Sequence, residues 1–203
     1  MTLHGAASTF APDPATYESR QRSEIAELEG SIRDIRPSRV ASEPPPALEP
    51  SRSHHLVLAL AELALRQAMI GDTLEARRTI GDAVTALADV NDPKIVGVTS
   101  VLLGEAMLAC DIPHLARQRF LTAIAICNAI AGRSWRLRAN VGLGRALVML
   151  DDPRGVRMLY ELRPAVVEDP MLLAQIDDAL RTAGSPDVKT AYGRPISRFP
   201  PSR

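Results

Sequence analysis

One residue pattern occurs three times in this chain at a constant spacing of 40 residues, and the copies align without a gap. Each copy has a leucine followed by a small residue, then a second small residue 12 positions later and a bulky residue four positions after that. A repeat of this length indicates stacked copies of one supersecondary unit, because a single copy cannot bury its own apolar face. Such a stack favours a binding surface over a catalytic cleft. In this order, the first copy has Leu63, Ala64, Ala76 and Ile80. The second has Leu103, Gly104, Ala116 and Phe120, and the third has Leu143, Gly144, Val156 and Tyr160.

Charge and hydropathy restrict the kinds of partner. The 24 basic and 24 acidic residues cancel, and only residues 185–203 lean positive, with 4 basic groups against Asp187. Because phosphate binding requires a concentrated basic face, we expect no nucleic-acid partner. No run reaches the roughly 18 apolar residues of a membrane span, and the first ten residues lack the features of a signal peptide. We therefore expect a cytoplasmic protein without membrane insertion.

No residues have the spacing of a catalytic or metal site. The four histidines lack a helical i, i+4 pairing with a nearby acid, which zinc chemistry favours. The adjacent aspartates at 151–152 and 177–178 do not face each other on a helix. We find no Gly-rich phosphate loop, Ser-His-Asp set or Cys-His pair, and we expect no enzyme activity and no cofactor. Cys110 and Cys127 lie in apolar helical pattern and are expected to be small core residues.

Residues 1–53 are predicted to be mostly disordered, with one helix from Pro14 to Ile35. Its apolar residues form a single narrow stripe, made of Ile25, Leu28, Ile32 and Ile35. Residues 36–53 are rich in proline, so we expect an extended linker that does not form a helix. A helix this short is marginal in water by itself. We expect it to dock in the groove of its own core, of a second copy in a homodimer, or on a partner.

Residues 54–184 are predicted to form three antiparallel helix pairs and a capping helix. The pairs cover about 54–70 and 73–90, then 94–110 and 113–131, then 134–150 and 153–162, and the capping helix covers 170–183. Asp72 is placed to cap the second helix of the first pair, and Pro164 should end or kink the last. Residues 185–203 are predicted to be a loose tail.

The repeat resembles the tetratricopeptide family, which has Leu-Gly in the first helix of each unit and Ala-x-x-x-Phe in the second. The middle unit matches best, with Leu103-Gly104 and Ala116-x-x-x-Phe120. The period is 40 residues instead of about 34, and the aromatic residue of the first helix is replaced by Gln67, Met107 and Leu147. Over residues 54–173 the resemblance implies an all-α, right-handed α-solenoid.

In that family the concave surface comes mostly from the first helix of each pair. The resemblance therefore implies a groove that is apolar, with acid at one end and arginine at the other, suited to an amphipathic helix or an extended peptide. The alternative for each residue is packing between helices. The candidate groove residues are Leu58, Glu62, Leu65, Met69, Val101, Glu105, Leu108, Arg138, Arg145 and Met149.

The expected function is recognition of a protein or peptide by a cytoplasmic adaptor, scaffold or regulatory subunit. The alternative is a small chaperone for an export substrate, because three-unit proteins of this family with a leading helix do that work. A nucleic-acid-binding regulator would need a DNA-reading helix, which we do not find. Arg77, Arg117 and Arg157 also recur at the 40-residue spacing. We expect the aliphatic part of each arginine side chain to lie over apolar surface and its guanidinium to pair weakly with neighbouring acids. The alternative is a row of arginines that binds an acidic partner.

Overall fold

The computed structural model describes residues 14–35, 50–130 and 132–184, and these ranges are all-helical without a strand. The predicted loose segments 1–13 and 185–203, and linker residues 36–49, lie outside the described residues. A short 3₁₀ helix at Arg163–Val166 follows α7. The α-helices are α1 Pro14–Ile35, α2 Pro50–Met69, α3 Thr73–Leu87, α4 Pro93–Ala109, α5 Pro113–Ala129, α6 Arg133–Met149, α7 Pro153–Leu162 and α8 Pro170–Thr182.

Most helix ends lie close to the predicted positions, and α1 has the predicted bounds. The main difference is the start of α2, which includes residues 50–53 of the predicted non-helical linker. Pro50 opens this helix because the first turn leaves its backbone N–H groups without intrahelical partners, so a missing N–H costs nothing there. Pro164 lies in the 3₁₀ turn that ends α7, as predicted.

The turn within each helix pair is the same in all three units. Gly71, Asp111 and Asp151 have positive φ angles of 83°, 57° and 54°. In each unit the residue after this turn donates its backbone N–H to a carbonyl five positions earlier, over 2.9 Å. A left-handed residue followed by this hydrogen bond is a common way to end a helix. The 40-residue repeat is therefore also a repeat of backbone conformation.

Aspartates cap two of the three helices that follow these turns, α3 and α7, whereas α5 begins after Ile112 without a side-chain cap. The Asp72 carboxylate accepts a hydrogen bond from the Glu75 backbone N–H at 3.4 Å, which confirms the predicted cap of α3. Asp152 caps α7 by accepting from the Arg154 backbone N–H at 3.0 Å. Hydrogen bonds from the Arg154 side chain and backbone lower the pKa of Asp152 to about 2. These caps satisfy donors that the first helical turn leaves open.

The helices after α1 form two rows. In the first row, α2, α4, α6 and α8 each contact the next. In the second row, α3, α5 and α7 each pack against the first-row helices that precede and follow them in the chain. As a result α4 contacts α2, α3, α5 and α6, and its central residues are buried on nearly every side.

The core joins the units through one aromatic side chain. Phe120 and Leu103 are fully buried, as predicted. A Cβ added at Gly104 of α4 would lie 2.7 Å from the Phe120 ring, and one added at Gly142 of α6 would lie 2.3 Å from it. Both glycines therefore leave the space that the ring occupies. Because Gly142 belongs to the third unit, Phe120 connects the second unit to the third.

The two cysteines also belong to this interior. Cys110 and Cys127 are free thiols, each 2% exposed, which confirms the core interpretation. Burial raises the pKa of both thiols. They therefore stay protonated at neutral pH, as structural buried cysteines do.

Helix α1 docks on the core of its own chain, where it packs against α2. Ile32 is 7% exposed, and Ile25, Leu28 and Ile35 pack against the same apolar cluster. This position is the end of the first row, where no preceding unit covers α2. A homodimer through this stripe would need α1 to exchange between two chains. None of the helices in the described ranges is long and apolar enough to cross a membrane.

Candidate partner-binding surface

The predicted groove residues differ in how much of each side chain is exposed to solvent. Val101 is fully buried, Leu108 is 5% exposed and Glu105 is 7% exposed. The packing alternative therefore applies to Val101 and Leu108, which lie inside the stack on α4. At the two ends of the row, Met69 of α2 and Met149 of α6 are 52% and 41% exposed. The other predicted groove residues are partly exposed: Leu58, Glu62, Leu65, Arg138 and Arg145.

Two predicted groove charges pair with each other across the row. Arg138 of α6 donates from Nε and Nη2 to the two carboxylate oxygens of Glu105 on α4, at 2.6 and 2.5 Å. The guanidinium also lies 5.2 Å from the centre of the Trp135 ring. Burial works to lower the pKa of Arg138, but the hydrogen bond and charge of Glu105 outweigh it and raise the pKa. A bidentate pair of this kind is the strongest arrangement of an arginine with a carboxylate.

A second charged cluster attaches α1 to the row. Arg66 of α2 bonds to Glu62 at 2.9 Å, one turn earlier on the same helix. The same guanidinium bonds to Glu24 of α1, and it donates to the Gln21 side chain at 3.0 Å. Sequence reasoning did not single out Arg66, because its partners on α1 lie more than 40 residues earlier in the chain. Glu62 is therefore already engaged by an internal cation.

Arg145, near the α8 end of the row, has a different environment. Its Nη1 donates to the Gln175 side-chain oxygen of α8 at 3.1 Å, and it forms no ion pair with any carboxylate in the described ranges. Burial lowers the pKa of Arg145, while the more distant charges of Glu105 and Asp178 oppose that change. At neutral pH the guanidinium still carries its charge. Arg145 is thus a partly buried cation whose only hydrogen-bond partner among the described residues is a neutral amide.

The exposed and partly exposed side chains of this surface are charged or apolar. Across the part of the chain that the structure describes, no group of three His, Cys, Asp or Glu side chains is placed to hold a metal ion. Because Arg138 already pairs with Glu105, the groups left to contact another molecule are the guanidinium of Arg145, which suits a carboxylate, and the thioethers of Met69 and Met149, which suit apolar groups.

Breaking the Glu105–Arg138 pair should destabilise the fold. We expect Glu105→Ala to lower the free energy of unfolding by about 1 to 3 kcal/mol, because Arg138 would keep its charge in a partly buried position without its partner. The double exchange Glu105→Arg with Arg138→Glu should recover part of the loss. Chemical denaturation of the full chain measures both effects. Glu168→Ala is the matched control at an exposed glutamate. Equal stability of Glu105→Ala and Glu168→Ala would mean that the pair contributes nothing.

Comparison of the chain with protein-family models, with curated proteins and with solved structures finds no match.

Proposed function

We propose that this protein is a protein-recognition module of the tetratricopeptide type, acting as an adaptor, scaffold or regulatory subunit. In this proposal the three helix pairs form a right-handed α-solenoid, α8 caps its C-terminal end, and the first row lines the concave face. The successive contacts of α2, α4, α6 and α8 and the repeated turn after each first-row helix support it. Each unit contacts mainly its neighbours, as in known helical stacks.

The observation that carries the proposal is the environment of Arg145. A buried or half-buried arginine usually has a carboxylate partner, since the charge is costly to remove from water. Arg145 has only the amide of Gln175 in the described ranges. A carboxylate supplied by a partner could accept two hydrogen bonds from its guanidinium.

Met149 supplies the apolar half of the same contact. It lies one helical turn after Arg145 on α6, so both side chains share a face, and it is 41% exposed. Methionine adapts its shape to irregular apolar surfaces. We therefore propose that a peptide or helix carrying a carboxylate beside an apolar side chain binds here.

The remaining first-row residues have supporting roles in this proposal. The Glu105–Arg138 pair holds α4 against α6, so the surface is formed before the partner arrives. Val101 and Leu108 support it from inside the stack. Leu58, Leu65 and Met69 extend the apolar surface toward α1.

Reversing the charge of Arg145 should abolish much of the partner's affinity while the fold persists. We expect Arg145→Glu to raise the dissociation constant roughly tenfold or more, equivalent to about 1.4 kcal/mol or more. The partner would first be captured from the native host on the full chain and identified by mass spectrometry, then purified for titration calorimetry. Arg133→Glu, an exposed arginine at the start of the same helix, is the matched control.

The outcomes separate the possible roles of this surface. An unchanged dissociation constant for Arg145→Glu would contradict the proposal. Loss of the circular dichroism melt would assign Arg145 a structural role instead. A spectrum of secreted proteins in the capture experiment, in place of one abundant partner, would favour the chaperone alternative.

A further inference from the structure

A groove of about 640 Å³ lies between α3 and α5 in the second row, and Met107 of α4 also lines it. Its walls and floor are mostly apolar and include Ile80, Val84, Met107 and Leu115. Leu115 is 46% exposed, so part of this apolar surface is open to solvent. The volume falls within the range of about 300 to 1,000 Å³ that is typical of ligand sites.

The next unit has an equivalent but smaller groove. It lies between α5 and α7 and has a volume of about 330 Å³. Arg117 and Leu121 line it at the positions that Arg77 and Gly81 occupy in the first groove, 40 residues earlier. Leu121 is 47% exposed, and its side chain takes up space in the second groove. Gly81 takes up no such space in the first groove.

Packing gives no reason for glycine at position 81. A Cβ added there would meet no atom within 4 Å, and the residue does not have a positive φ angle. Glycine inside a helix costs about 1 kcal/mol relative to alanine. Replacing Gly81 with alanine would stabilise α3 but would also narrow the groove. Glycine therefore keeps the groove open at the expense of helix stability.

The groove carries positive charge without a counter-charge. Both Arg77 and Arg119 line it, and no acidic side chain does. Arg77 donates from Nη2 to the Cys110 carbonyl oxygen at 2.8 Å, and Arg119 forms no ion pair within the described ranges. Burial lowers the pKa of Arg119, which is a further sign that the guanidinium is partly removed from water. An incoming carboxylate would relieve this cost.

We propose that the groove between α3 and α5 binds an acidic amphipathic helix of another protein. Apolar side chains of that helix would lie on Ile80, Val84 and Met107, and its carboxylates would pair with Arg77 and Arg119. An apolar groove is a common binding site for an amphipathic helix. The uncompensated arginines select an acidic partner, because complementary charge sets specificity. The proposal does not depend on Arg145 or Met149, the residues of the first proposed site.

A designed peptide tests the chemistry of the groove directly. The probe is a fluorescein-labelled helix with leucines at positions i, i+3, i+4 and i+7 and glutamates on its other face. Fluorescence anisotropy with the full chain should show binding that weakens as salt is added, since exposed charge pairs are screened. A peptide with lysine in place of every glutamate should bind at least tenfold more weakly, a difference of roughly 1.4 kcal/mol.

Two variants locate the site. Gly81→Leu should fill the groove and weaken acidic-peptide binding by about tenfold or more, while the melting temperature stays the same or rises. Gly30→Leu is the matched control, because Gly30 is also a helical glycine with open space around it, on α1. Arg119→Glu should shift the preference toward the lysine peptide.

Unchanged binding in Gly81→Leu, or equal binding of the two peptides, would overturn the proposal. Conversion of a dimer to a monomer by Gly81→Leu in light scattering would also overturn it, because the occupant would then be a second copy of this chain. If Gly81→Leu melts at a lower temperature than the parent, the peptide preference of Arg119→Glu is the test of the proposal. An unaltered peptide preference in Arg119→Glu would count against the proposal.

Discussion

Replacing Phe120 with alanine should lower the free energy of unfolding by about 3 to 5 kcal/mol, a large part of the 5 to 15 kcal/mol that stabilises a typical domain. The ring is fully buried and lies directly against the backbone of Gly104 and Gly142. Removing it would leave a cavity between the second and third units, because rigid helices collapse poorly into such a space. Urea or thermal denaturation of the full chain measures the loss.

The neighbouring residue provides the control for Phe120. Leu121 is 47% exposed, so Leu121→Ala should change stability by much less than Phe120→Ala. Gly142→Ala should also destabilise the protein, since its Cβ would lie 2.3 Å from the ring. That cost should shrink in a Phe120→Leu background, because residues in contact are coupled. If Phe120→Ala melts within a degree or two of the parent, the proposed register of the repeat is wrong.

Deleting residues 1–49 should leave α2 to α8 helical but less stable by roughly 2 to 4 kcal/mol, and prone to self-association. The deletion would expose the apolar surface of α2 that Ile32 covers, and burying one such side chain contributes about 1.5 to 3 kcal/mol. It would also leave Arg66 without Glu24 and Gln21. The cost of ordering an isolated helix offsets part of this contribution.

Thermal melts and light scattering at several concentrations test the deletion. Ile32→Ala in the full chain should reproduce part of the loss, and Tyr17→Ala, at a residue that is 40% exposed, should not. A truncated chain with the parent's melting temperature and oligomeric state would show that α1 is a passive tail. A rise in partner affinity would show that α1 also covers part of the binding surface.

Local chemistry determined most of the secondary structure. The bounds of α1, the capping role of Asp72 and the end of α7 near Pro164 depend on residues within one or two turns of each other. Proline and aspartate act on the backbone next to them, so their effects can be predicted without knowledge of the fold. The 40-residue spacing likewise predicted that Leu103 and Phe120 are buried. In the third unit the packing positions are shifted by one residue, because Gly155 and Leu159 are buried in place of Val156 and Tyr160.

Exposure and charge pairing were decided by the tertiary structure. The sequence placed Val101, Glu105 and Leu108 on the same face as Arg145, yet the first three are buried and only Arg145 is partly open. The three residues are buried because α4 is enclosed by α2, α3, α5 and α6. The partners of Glu105 and Arg66 also come from distant parts of the chain. Helical periodicity defines which residues share a face, but only the neighbouring helices determine which faces reach the solvent.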